Sequence, residues 1–436
     1  MTSFGAEAMV IACYLITFRL IAANLGTIGF GEYALSRRML ALLAPVGLMG
    51  VDMAMARYLA FGRGETRDRL QGYVAAAVVT TIAAAVLLTA VLLGFRDTIS
   101  QLFFGSAAFS DLVTPMPLLL LGSGLHGVAY GYLRGTLAIQ RANLLVVINQ
   151  GLVPLVCALA LRGSVAMILV AMACGWIVVA IVFLSRTPIR VVQLRLRVRE
   201  LLGYGYRRVP GDLLQLGLFA LPGVLVAHSG DISRAGLVAF GVAAIGMVGS
   251  ALTPIQFVLL PVAARHLSAG SIGLLRRHVW DLVRPTVILL VAGTIVAEIG
   301  AAALVRFYLG PGFEQGVDSL RLIMLGALPW GMLVTLRSVI DARHYRAVNA
   351  RNMAVAFACF VVTAVALRFL FGAESWTAVA AFVASLYVAG ILTAVEAAKI
   401  TRTNSPVPAL DATGFPGAGL PADPVDVLST DAAPWL

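Results

Sequence analysis

The sequence predicts an all-α polytopic membrane protein, with about twelve transmembrane helices in two parallel-repeat six-helix lobes around a central cavity. Three observations lead to this reading. Of 436 residues, 60% are hydrophobic and only 12% charged, with a mean hydropathy of +0.94. A soluble domain is about a quarter charged. Apolar runs of roughly 20 residues recur along the chain, the length a helix needs to cross a bilayer core. No water is available there for an open strand edge, so the spans are helices. The third observation is a repeated phrase, "ARYLAFG" at 56–62 and "ARHLSAG" at 264–270, each where an apolar run meets charged residues.

The spans follow in order. The first, 8–28, contains the lone Arg19 and has no basic segment ahead of it, so it does not read as a cleavable signal. The second, 33–61, carries Arg37, Arg38, Asp52 and Arg57. Spans at 73–95, 113–139, 143–161 and 164–185 complete the first half, with His126 and Arg134 in the fourth. The second half runs through 209–228, 235–263, 285–305, 319–341, 352–371 and 376–398. It carries Asp212, Glu298 and Arg337 inside its spans and Arg265 just past the end of one. Prolines inside the spans, among them Pro45, Pro154, Pro222, Pro254, Pro261 and Pro329, suit helices that bend.

Domain organisation follows from composition. Residues 1–185 form the N-terminal lobe, 186–208 a basic linker, 209–400 the C-terminal lobe, and 401–436 a tail. The linker carries seven arginines against the single Glu200. It reads as a connection retained on the cytoplasmic side, and as a segment that gathers anionic membrane lipids. The tail is rich in Pro, Gly and acidic residues without apolar periodicity and reads as disordered. Arginines crowd alternate connections: Arg63, Arg67 and Arg69, then Arg141, the linker, Arg276 and Arg277, and Arg343 and Arg346. The opposite connections hold only Arg96, Arg162, Arg234 and Arg306. This asymmetry places both termini in the cytoplasm of a cell with the chain in its inner membrane. The net charge of +11 is then a topology signal, and its scatter over short loops excludes a nucleic-acid partner.

The repeat has further members. "LFFG" at 102–105 pairs with "FYLG" at 307–310, and "LRG" at 133–135 with "LRS" at 336–338, in the same order and at nearly the same offset as the first pair. An even number of spans per half gives both halves one orientation, a parallel repeat about an axis normal to the membrane.

Particular residues resemble a family. "LGTIGFGEYALSRRMLALLAPVGLMGVDMAMARYLA" (25–60) resembles the opening of bacterial oligosaccharide flippases of the multidrug/oligosaccharidyl-lipid/polysaccharide exporter superfamily. "VLLPVAARHLSAG" (258–270) is similar to its eighth helix, and "YLGPGFEQGVDSLRLIMLG" (308–326) to its ninth-to-tenth connection. The resemblance implies a polyprenyl-diphosphate-linked oligosaccharide as substrate, moved between leaflets by alternating access. It also implies glycosyltransferases and a glycan polymerase as pathway partners. Multidrug extruders of the superfamily carry an acidic residue in the first helix, where this chain has Arg19 and only a marginal Glu7. Peptidoglycan-precursor flippases are a second reading, although they usually have helices beyond the twelfth. A membrane-embedded glycan polymerase or acyltransferase is the reading from another class. Short outer loops and the internal duplication oppose it.

Charges inside spans each cost roughly 2.5–3.5 kcal/mol on insertion scales and need a reason. Basic residues dominate, which suits a cavity for a diphosphate, because the guanidinium fork donates in pairs to phosphate oxygens. Arg19, Arg38, Arg57, Arg134, Arg265 and Arg337 are the candidate substrate-binding residues. Arg37, Arg38, Arg57 and Arg265 sit near expected span ends, where snorkelling to the interface competes with that role. Arg19 and Arg134 have apolar neighbours on both sides and are expected to face one cavity, with Arg337 across its inner mouth from Arg134. Asp52, His126, Asp212 and Glu298 are candidates for coupling or for pairing with these cations, Asp212 also for capping the seventh helix. No P-loop, HExxH or GxSxG motif is present, so no catalytic residue, metal or cofactor is expected. Cys13, Cys157, Cys174 and Cys359 lie in apolar runs and read as small buried hydrophobes.

Overall fold

The computed structural model describes residues 3–61, 67–187, 189–206, 209–343, 348–372 and 374–402. The expected disordered tail beyond 402, and Arg63, Arg207, Arg208 and Arg346 of the charge pattern, lie outside the described residues.

Among those residues every regular element is a helix. In the first half run α1 (Ser3–Leu48), α2 (Val51–Phe61), α3 (Arg67–Gly94), α4 (Arg96–Phe104), α5 (Met116–Gly135), α6 (Ile139–Val146), α7 (Val153–Ala160) and α8 (Val165–Leu184). A connecting helix, α9 (Leu194–Gly205), follows. The second half comprises α10 (Val209–Ala227), α11 (Ile232–Ser268), α12 (Ile272–Tyr308), α13 (Val317–Met324), α14 (Ala327–Arg343), α15 (Val348–Phe371) and α16 (Ser375–Ile400).

By length and composition ten helices can cross a membrane, and the bent pair α13–α14 makes eleven. The twelfth is inside α1. Its 46 residues would span about 70 Å at 1.5 Å per residue, more than twice the hydrocarbon thickness. Gly26 interrupts it with a left-handed φ of 66°, dividing it into two limbs. The sequence predicts this break at 29–32 and a continuous second helix over 33–61. The structure instead turns at Gly26 and again at Met49 and Gly50, before α2. Two other expectations need correction. The ninth span, expected at 285–305, begins at Ile272, because apolar Ile272, Leu275, Val279 and Val283 recur at helical spacing and pack inward. The basic linker is not merely a connection, since α9 folds onto the first lobe.

Both halves carry the same local device before their fourth crossing. Gly105 (φ 74°) and Gly310 (φ 112°) are left-handed and lead into 3₁₀ turns at Ala107–Leu112 and Pro311–Gly316. These are the glycines of LFFG and FYLG, so the sequence repeat corresponds to a structural one. Local caps set several starts: Ser164 accepts from the Met167 amide, and Asp231 from the Arg234 amide.

The apolar core has the shape of an inverted V. One cluster, at the end away from α9, draws on both lobes: Phe18, Phe30, Tyr33 and Trp176 with Phe219, Phe240, Phe313 and Phe382. Toward the α9 end it divides. Val51, Met55, Leu59, Val74, Val128, Leu133 and Leu201 form a core within the first lobe and linker. Leu259, Ala263, Leu275, Leu336 and Val339 form another within the second lobe.

Candidate functional site

Burial along the two central helices locates the opening between the lobes. On α1, Gly29–Phe30–Gly31 and Tyr33 to Ser36 are buried, whereas Arg37, Arg38 and the residues from Ala41 to Gly50 are at least partly accessible. On α11, Ala235 to Ala243 are buried, and accessibility then rises toward Arg265. The lobes therefore touch in one half of the bundle and stand apart in the other. The contact is close because it is made by glycine: a Cβ on Gly31 would overlap the Ile232 carbonyl oxygen, and one on Gly236 the Gly31 backbone. Aromatic rings complete it, with Phe18 and Phe30 lying 5.1 and 5.6 Å from Phe240, and Phe30 lying 5.1 Å from Phe313. We call this the outer end and the α9 side the linker end.

At the apex of the gap, Arg38 donates from Nε and Nη2 to the Ala239 carbonyl on α11, at 3.3 and 2.9 Å. The expectation that Arg37 and Arg38 snorkel from a span end is corrected here. The second limb begins at Gly26, so both lie well inside it. Arg37 lies over the Trp176 ring, 5.7 Å from its centroid.

At the linker end the gap is flanked by arginines from both lobes. Arg57 stacks on Tyr204 of α9 at 4.8 Å. Arg134 is exposed and donates to the Tyr130 hydroxyl at 3.3 Å, with its guanidinium 5.5 Å from that ring. Gly135 packs on Ala56 and Leu59, so Arg57 and Arg134 belong to adjoining turns of α2 and α5. Across the gap, Arg265 is exposed in the last turn of α11. Arg337 lies 3.7 Å from Asp341, and the two flank the same second-lobe core as Arg265. Arg57 and Arg134 are thus carried by the first lobe and Arg265 and Arg337 by the second, each toward the C-terminal end of its helix.

The structure does not bring Arg19 to this mouth. It is exposed on the first limb of α1, toward the outer end, where the Tyr308 hydroxyl of α12 donates to the neighbouring Leu15 carbonyl. His126 is buried, with the Asn149 amide nitrogen 3.2 Å from Nδ1 and the Gln150 amide nitrogen 3.4 Å from Nε2, of which a neutral imidazole accepts from one. These two amides sit on a π-helical turn, Val147–Leu152. Asp52 is in the first turn of α2, where its backbone abuts Gly131 of α5. Asp212 is exposed in the first turn of α10, where a carboxylate favours the helix dipole. Glu298 lies on α12, which packs on α11, α13 and α14 and so belongs to the second lobe. Among the described residues no group of His, Cys, Asp and Glu could hold a metal.

Sequence reasoning missed the α9 anchor. Arg197 is buried and donates to the Tyr73 hydroxyl (2.9 Å), Glu200 (2.7 Å) and Gln193 (3.1 Å). Burial pulls this guanidinium down, but the bonds to Glu200 and Tyr73 outweigh it and hold it above its ordinary value. Tyr58 stacks on Tyr73 at 5.0 Å beside it. The signal was present in the alternation LRLRVRELL, in which one arginine must face inward if the helix docks.

The description "polysaccharide biosynthesis protein" matches residues 20–317, well over half the chain. The chain belongs to that family. No curated protein matches it in sequence. Its fold is similar to those of solved transporters at low identity. An inward-facing multidrug resistance MATE family transporter of the MOP superfamily superposes with TM-score 0.66 at 14% identity, covering 92% of this chain and 96% of that one. A lipid II flippase, MurJ, in an inward closed conformation superposes with TM-score 0.66 at 11% identity, covering 91% and 89%. An outward-facing MATE structure reaches only 0.54 at 13% identity, over 92% and 98%. This family member thus has the fold of those transporters.

Proposed function

We propose that the protein is a flippase for a polyprenyl-diphosphate-linked oligosaccharide, working by alternating access in the cytoplasmic membrane. The linker end, with both termini, faces the cytoplasm in this reading. The observation that carries it is the inverted-V core with arginines at its open mouth. A diphosphate headgroup and its glycan enter a polar, cationic gap while the polyprenyl tail stays in the bilayer between the lobes. Closing the linker end and parting the outer end then exposes the headgroup to the other side. A cationic drug would be repelled by the same mouth. The exposed Arg195 and Arg199 of α9 lie beside exposed Leu196, a combination that suits contact with anionic headgroups at the inner leaflet. Glycosyltransferases supplying the substrate and a polymerase consuming it are the partners this activity requires.

The test is removal of the protein from its cell. A lipid-linked oligosaccharide should accumulate on the cytoplasmic leaflet and disappear on complementation. Accumulation of a lipid-linked peptidoglycan precursor instead would support the second reading, and no lipid intermediate at all would reject the flippase.

A further inference from the structure

The turn between α15 and α16 sets two opposite charges over an apolar cleft at the outer end of the second lobe. Gly372, left-handed at a φ of 81°, ends α15 and donates its N–H to the Arg368 carbonyl. Glu374 occupies the N-cap position of α16. Arg368 and Glu374 line one cavity of about 380 Å³, counting its open mouth. Its walls are Leu225 of α10, Ala364 and Val365 of α15, and Ala378 of α16. Ala364 and Val365 lie one helical turn before Arg368, so the apolar part is the deeper one and the charges form the rim. Neither charged side chain makes an ion pair or a hydrogen bond among the described residues. Exposed rings flank this turn: Phe369, Phe371 and Trp376, the last two with centroids 5.3 Å apart.

We infer that this cleft binds a zwitterionic phospholipid with a primary amine, of the phosphatidylethanolamine class, from the leaflet at the outer end. Exposed aromatic residues, tryptophan above all, gather where a bilayer meets water, at the depth of lipid headgroups. The rim therefore lies where a headgroup reaches it while the acyl chains run down over Val365 and Leu225. The Arg368 fork donates to phosphate oxygens in pairs. The Glu374 carboxylate accepts from an N–H of the ammonium.

The two charges together select the headgroup. A rim with one cation and one anion matches a ligand that carries both. An anionic headgroup would satisfy Arg368 but set its negative charge beside Glu374. A choline headgroup has the right charges, yet its trimethylated nitrogen has no N–H, so it forgoes a charge-assisted hydrogen bond. Direct pairing of the two rim residues competes weakly, because an exposed ion pair gains little and must hold two side chains in one geometry. The cleft is built by α10, α15 and α16 of the second lobe alone. A lipid held there is distinct from cargo passing between the lobes, and the inference does not depend on what that cargo is.

The test uses the full chain, purified in detergent and stripped of lipid, with native mass spectrometry to count dioleoyl lipids bound at equal concentrations. The first phosphatidylethanolamine should bind about three- to tenfold more tightly than the first phosphatidylcholine or phosphatidylglycerol. Glu374→Gln should bring phosphatidylethanolamine down to the level of phosphatidylcholine and leave phosphatidylcholine as it was. Arg368→Gln should weaken both, and Arg368→Lys should restore them in part. Both side chains are exposed, so these substitutions leave the packing of α15 on α16 intact. Ala364→Phe, which fills the apolar floor, should remove the preference altogether. Phosphatidylglycerol binding as tightly as phosphatidylethanolamine to the parent protein would make this a plain anion site and overturn the proposal. So would equal binding of phosphatidylethanolamine and phosphatidylcholine, a preference that survives Glu374→Gln, or binding unchanged by Arg368→Gln. A preference that survives Ala364→Phe would put the lipid outside this cleft and overturn it equally.

Discussion

At the outer end, Phe18, Phe30 and Phe240 interlock across the lobes around a glycine pair, whereas at the linker end the same two helix paths present Arg57 and Arg265 on either side of a gap. The first arrangement is apolar and shape-dependent, the second cationic and charge-dependent. Aromatic contacts of this kind contribute about 0.5–1.5 kcal/mol each beyond area. A handful of them holds a closed state without making it permanent. Guanidinium groups facing each other across a gap oppose closure until an anion lies between them. The difference teaches that the two lobes meet through shape at one end and present charge at the other.

The largest effect should come from breaking the seal. Gly236→Val inserts a branched side chain where a Cβ already overlaps Gly31. Overpacking costs about 1–3 kcal/mol, and here it falls on the outer-closed state alone. That state should lose roughly 5- to 150-fold in population, read as a longer distance between nitroxides at Ala108→Cys and Gln315→Cys, exposed positions on opposite lobes. A distance equal to that of the parent would show that the glycine contact does not hold the outer end closed.

Next comes the anchor of α9, which belongs to the first lobe's core. Arg197→Ala leaves Tyr73 and Glu200 without their shared donor and should cost about 2–3 kcal/mol. Thermal unfolding in detergent should shift down while a control at exposed Arg195 does not. An unchanged midpoint would mean that Leu201 and the aromatic stack hold α9 without the cation.

The mouth should be softer. Arg57→Ala, Arg134→Ala, Arg265→Ala and Arg337→Ala should each slow export only about two- to fivefold, more at low ionic strength than at high, because they act through a summed field. A salt-independent loss at one site would identify direct contact with the substrate there. The smallest effect is expected from truncation after Arg402. The segment removed contains no apolar pattern able to bury a core, so membrane level and export should stay within the error of the parent. Loss of either would show that the tail binds a partner.

Much of the fold is legible in the chain because bilayer helices obey length and hydropathy. The LFFG and FYLG pair anticipates two left-handed glycines and two 3₁₀ turns at matching places. The repeated ARYLAFG and ARHLSAG likewise place Arg57 and Arg265 toward the C-terminal ends of α2 and α11. Arg19 and Arg134 share an apolar context in sequence, yet they lie toward opposite ends. Hydropathy reports that a charge is costly and not which neighbour relieves it. The setting of Arg38 escapes sequence reasoning because its acceptor, the Ala239 carbonyl, is far away along the chain.

By itself, the sequence determined that the protein spans a membrane as helices, that its halves repeat, and which end is rich in arginine. These follow from local quantities: apolar length against bilayer thickness, and charge per loop. Only the tertiary structure decided which half of the bundle is closed, that α9 is part of the first lobe, and that Arg38 meets a backbone carbonyl of the other lobe. Those depend on how closely two distant helices approach. A few ångströms between Gly31 and Gly236 separate a sealed contact from an open gap, and no local pattern along the chain encodes that distance.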